Sequence, residues 1–115
     1  KFPKGICTGL SQKPLNSEIG WCDDPTSSHY NQSVHLPFLK SHEVLWRDDD
    51  IYDVVVVVGY NDKPVCKGKG SAIFIHVARK NYSPTVGCIA FSKEDLLTIL
   101  KGLDSKSFII IEASK

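Results

Sequence analysis

One cysteine and one histidine twelve residues apart are the residues of this chain best suited to covalent chemistry: Cys88 in SPTVGCIAF and His76 in GSAIFIHVA. A thiol becomes a useful nucleophile when a neighbouring base or positive charge stabilises its thiolate. Gly87, directly before the cysteine, permits unusual backbone geometry and close approach of a substrate. The amides of Gly87 and Cys88 could then serve as an oxyanion hole, the largest single electrostatic contribution to many acyl transfers. The competing reading makes Cys88 a small buried apolar residue and His76 a satisfied core histidine. Spacing alone favours that blander reading, because a single Cys and a single His make a weak signal.

Two strands and a helix must position the pair. YDVVVVVGY is the clearest element: its five valines are stiff at χ1, and an unbroken apolar run implies a strand buried on both faces. Gly59 and NDKP end it with turn chemistry. A second strand is expected from about Ser71 to Ala78, with Ala72, Phe74 and His76 on one face and Ser71, Ile73, Ile75 and Val77 on the other. RKNYSPTVG connects it to the short apolar piece from Cys88 to Phe91. SKEDLLTILKGL then reads as a helix near Ser92 to Leu103. Ser92 is its N-cap, Glu94 and Asp95 sit at the positive end of its dipole, and Gly102 is a stop signal. SFIIIEA closes the chain as a strand. A working pair is expected to face a cleft, with the thiol near an imidazole nitrogen.

The first 42 residues are turn-rich and sustain neither period, so they read as a structured loop region with short strands, anchored by Trp21, Tyr30 and Phe38. SHEVLWRDDD reads as a short turn or helix, with Arg47 paired to one of the three aspartates that follow. Asp23 and Asp24 in WCDDP suit polar contacts to an amine or a cation, and equally an Asp-Pro turn. Cys7, Cys22, Cys66 and Cys88 form no CxxC pair, and three disulfide pairings are open to them. His29, His35 and His42 with Cys22 lack the spacing of a zinc site, so no metal and no cofactor is expected.

At 115 residues with a formal net charge of +1, the chain is expected to be one domain. The scattered Lys and Arg residues form no basic stripe, which argues against nucleic acid. The longest apolar run falls far short of the ~20 residues of a membrane span.

GSAIFIHVARKNYSPTVGCIAFSKEDLLTIL resembles the catalytic core of the L,D-transpeptidase (YkuD-like) family, in a branch that carries SPTxGC in place of the commoner SHGC. GWCDDPTSSHYNQ, SHEVLWRDDDIYDVVVVVGYNDKPV and GKGSAIFIHVAR resemble the same branch, so the likeness runs from about Gly20 to Gly102. It implies a mainly β fold, a sandwich or barrel with one helix after the catalytic cysteine. It also implies a catalytic domain over residues 1–115. Members of this branch carry further chain before the KFPKG equivalent, which leaves room for a domain lacking amino-terminal strands.

The resemblance further implies a cysteine acyltransferase acting on peptidoglycan stem peptides. Cys88 would be the nucleophile, His76 the general base, Val77 the source of the carbonyl that orients the imidazole, and Gly87 with Cys88 the oxyanion hole. Two positions depart from the commoner branch: Val86 stands where it has a histidine, and Ala90 where it has an arginine suited to gripping a carboxylate. Substrate contacts are therefore expected from Arg79, Tyr82, Asp23, Asp24 and Trp46, with Arg47 or a lysine as further candidates. The implied setting is the cell envelope, periplasmic or secreted, and the expected state a monomer. Two alternatives stay open: an L,D-carboxypeptidase that uses water as acceptor, and a catalytically silent domain that binds peptidoglycan.

Overall fold

The computed structural model describes residues 6–85 and 87–112. Its elements in chain order are β1 (Ile19–Cys22), β2 (Ser33–His35), β3 (His42–Val44), β4 (Val55–Val57), β5 (Phe74–Val77), β6 (Ile89–Phe91) and α1 (Lys93–Leu100). The fold is mainly β, compatible with a sandwich carrying one helix. β1 to β3 make an antiparallel sheet in the order β2-β1-β3. The second sheet runs β4-β5-β6, antiparallel between β4 and β5 and parallel between β5 and β6.

The second sheet divides two apolar clusters, and strand alternation decides which residues join each. On one face, Phe74 packs with Tyr52, Leu45, Ile51 and Ala72, and Val55, Trp21 and Cys88 close around them. The two sheets meet here, with the Trp21 and Phe74 rings edge to face at 5.2 Å. On the other face, Ile75 and Val77 pack with Val54 and with Leu96 and Leu100 of α1. Phe74 and Leu96 are both 0 % exposed, so each anchors its own cluster.

The helix begins as its sequence dictates. Ser92 Oγ accepts a hydrogen bond from Asp95 N at 3.2 Å, and Glu94 and Asp95 occupy the first turn. Lys93 Nζ reaches Asp53 Oδ2 at 2.9 Å, which ties the start of the helix to the approach to β4.

Four expectations need correction. β4 is shorter than the valine run and sits at the margin of the three described strands, so Val57 is 53 % exposed. Its valines still touch apolar clusters on both faces, Val55 on one and Val54, Val56 and Val58 on the other. β5 starts at Phe74 rather than Ser71, because Ala72 has a φ of 58°, which no strand residue adopts. His42–Val44 is a strand and not a helix, because pairing with β1 overrides local pattern there. Finally, residues 107–112 enter no strand, and Phe108, Ile110 and Ile111 are 84 %, 69 % and 75 % exposed. Strand propensity needs a neighbouring ladder, and none of the described strands runs beside that segment.

Candidate active site

The parallel pairing of β5 with β6 sets Ile75 opposite Ile89 and His76 opposite Ala90. Cys88, two residues before Ala90, therefore lies on the same side of the sheet as His76, one diagonal step away. Packing agrees: Cys88 contacts the cluster of Phe74 and Tyr52, while its neighbour Ile89 faces the helix side. The thiol is thus not sunk among Leu96, Leu100 and the helix.

The imidazole is held firmly. His76 is 3 % exposed, and its Nδ1 lies 2.9 Å from the carbonyl oxygen of Val77. A carbonyl only accepts, so Nδ1 carries the proton and Nε2 is left with its lone pair free to receive one. The Tyr52 ring meets the imidazole edge to face, 5.5 Å between centroids. The ring of His76 is closed over rather than open to a cleft, so access to the pair comes from the half-buried thiol.

Cys88 Sγ donates to the carbonyl of Ala72 at 3.2 Å. Burial pushes this thiol above its ordinary range, and the Glu43 carboxylate adds to the rise, while a backbone hydrogen bond from Phe74 opposes it. The thiol is therefore the resting form. Gly87 has a φ of 81° and is exposed, and a Cβ there would stand 3.3 Å from Ile73 Cδ1, so the loop needs glycine on grounds of conformation. Thr85 closes the loop by donating its hydroxyl to the carbonyl of Cys88. Val86 lies outside the described residues.

The expected substrate contacts are spread out. Arg79 and Tyr82 are exposed in the turn that leads to the thiol loop, joined by a 2.9 Å hydrogen bond from Tyr82 N to Arg79 O. Asp24 has its carboxylate engaged by the amide and hydroxyl of Thr26 at 2.8 and 2.6 Å, which is the turn reading of WCDDP. Asp23 accepts from Ser41 Oγ at 2.6 Å. This segment is still joined to the thiol's surroundings, because Ser71 Oγ donates to Cys22 O at 2.6 Å, one residue before the Ala72 carbonyl. Arg47 pairs with Asp49 through two hydrogen bonds of 2.9 and 2.7 Å, as expected for one of the three aspartates.

Trp46 lines a cleft of about 1300 Å³ together with Trp21, Leu45, Tyr52, Val55 and Phe74. Among the described residues, the wall of that cleft includes neither His76 nor Cys88; Tyr52, which lines it, meets the imidazole edge to face. All four cysteines are free, and no three His, Cys, Asp or Glu residues gather as a metal cradle among the described residues. Sequence reasoning passed over Tyr52 and Glu43, and gave Ala72 a place on the His76 face but no role. Tyr52 was visible only as the polar tip at the head of the valine run, and Glu43 gave no local signal.

The chain was compared with known families, curated proteins and solved structures. The family model YkuD, L,D-transpeptidase catalytic domain, matches residues 3–111. No curated protein and no solved structure matches the chain.

Proposed function

Because the chain belongs to the L,D-transpeptidase catalytic-domain family, we propose that it is a cysteine acyltransferase of peptidoglycan, with Cys88 as nucleophile and His76 as its base. The observation that carries this reading is the shared sheet face of Cys88 and His76, with Nδ1 of the imidazole committed to Val77 O. In the proposed reaction the thiol leaves Ala72 O and gives its proton to Nε2 while sulfur attacks the amide carbonyl of a stem-peptide donor. The amides of Gly87 and Cys88 receive the oxyanion. Collapse breaks the C–N bond, the imidazolium protonates the departing amine of the terminal D-residue, and a thioester on Cys88 remains. An acceptor amine then attacks the thioester, giving its proton to His76, and the thiol is released.

Arg79, Tyr82, Asp23, Asp24 and Trp46 are the proposed substrate contacts. Arg79 and Tyr82 are favoured by exposure beside the thiol loop. Arg47 is disfavoured as a carboxylate grip, because Asp49 already occupies it. The reading treats residues 1–115 as a catalytic domain of the cell envelope, periplasmic or secreted, working as a monomer. No helix among the described residues is long and apolar enough to cross a membrane.

A second reading, a silent peptidoglycan-binding domain, is favoured by the bond from the Cys88 thiol to Ala72 O and by the burial of His76. Incubation with a stem tetrapeptide, with and without an amine acceptor, followed by mass spectrometry of the products, separates the possibilities. Release of the terminal D-residue with formation of an acceptor-linked product supports the transpeptidase. Release with a free tripeptide alone points to water as acceptor. No release, with retention on purified sacculi, supports the silent domain.

A further inference from the structure

Tyr52 is 6 % exposed and joins three groups that the two sheets bring together. Its hydroxyl donates to Glu43 Oε1 of β3. Its ring stands edge to face against His76 of β5, at 5.5 Å and 73°. The Arg47 guanidinium lies 5.5 Å above the ring centroid. A buried tyrosine needs an acceptor, and a backbone carbonyl would suffice; a carboxylate is a costlier choice because its charge must stay partly solvated. Arg47, the cation nearest to hand, is committed to Asp49 in a two-point pair. Among the described residues no cation forms an ion pair with Glu43; the Arg47 guanidinium feels its charge from beyond ion-pair distance, and the carboxylate is directed at the Tyr52 hydroxyl.

We infer that Glu43 and Tyr52 are positioning residues for the His76–Cys88 pair: Glu43 fixes the Tyr52 ring against the imidazole and supplies the negative charge that balances the imidazolium when His76 takes the thiol proton. The inference rests on the reading of Cys88 as nucleophile and His76 as base. It assigns a role to a carboxylate that touches neither substrate nor sulfur directly. The charged and titratable groups around the pair include Glu43 from β3, Arg47 with Asp49 from the segment after it, Tyr52 before β4 and Arg79 after β5, whose charge Asp49 feels. Asp53, next in the chain to Tyr52, pairs with Lys93 at 2.9 Å. Burial, and after it Glu43, raises the thiol of Cys88, which agrees with a carboxylate charge felt at the site.

The test follows the rate of carbapenem acylation at Cys88 by intact mass between pH 5 and 9, in the wild type and in Glu43→Gln, Glu43→Asp and Tyr52→Phe. Removing the carboxylate charge from beside a thiol lets the thiolate form at lower pH. Glu43→Gln is therefore expected to move the profile down by roughly half a unit to one unit and to lower the maximum about tenfold. Glu43→Asp restores the position of the profile. Tyr52→Phe keeps the charge and hence the position, but lowers the maximum, because the ring has lost its anchor. A Glu43→Gln profile that superposes on the wild type, or one lowered without displacement, overturns the inference and leaves the acyltransferase standing. Absence of any mass gain in the wild type, or an equal gain in Cys88→Ser, overturns the acyltransferase reading and this inference with it.

Discussion

His76 has one nitrogen on a carbonyl and its remaining one available, and that division of labour makes its replacement informative. His76→Ala leaves the Cys88 thiol on Ala72 O with no base, so acylation is expected to slow by roughly 10² or more. Single-turnover mass spectrometry reads that rate. Burial also sets the alkaline limit of stability. Tyr52 and Cys88 are both raised, chiefly by burial, from ordinary values of 10.0 and 9.0. The unfolded chain therefore loses these protons first, so stability is held below about pH 9 and declines as pH rises through the raised values. Urea midpoints measured from pH 7 to 11 should show the decline, and Tyr52→Phe should make it shallower. The residues proposed for the chemistry, Cys88 and His76, were legible in sequence as candidates. Their supports were not, because Glu43 and Tyr52 reach them through sheet-to-sheet packing that no local spacing encodes.

At the scale of elements, the helix is the best-specified part of the chain. Ser92→Ala removes the acceptor for Asp95 N and is expected to cost about 1 kcal/mol. Leu96→Ala empties a position that is 0 % exposed, and about 2–5 kcal/mol is the expected loss in a denaturant titration. Equal small losses for both would contradict the assignment of Leu96 to the core. The helix was legible because cap, dipole and apolar stripe are all local. Strands depend on partners. The same propensity that placed Val55–Val57 correctly in a ladder placed Phe108–Ile111 in one that does not form among the described residues. The left-handed backbone of Ala72 was equally invisible, since alanine carries no mark of it.

For the whole molecule, two sheets and one helix enclose clusters on either side of β5, and the pair lies on the face where the sheets meet. The family was legible because its motifs follow one another in order along most of the chain, and the matching residues 3–111 bear this out. The resting state of the site was not legible. On the proposed reading, a thiol bonded to Ala72 O turns from that carbonyl toward His76 before it attacks. A Cys88 that is merely a core thiol would never make that turn. Incubation with a carbapenem, followed by intact mass and peptide mapping, decides between the two. The expected result is a single adduct on the Cys88 peptide, lost in Cys88→Ser. An unchanged mass, or an adduct that persists in Cys88→Ser, would contradict the assignment of Cys88 as nucleophile.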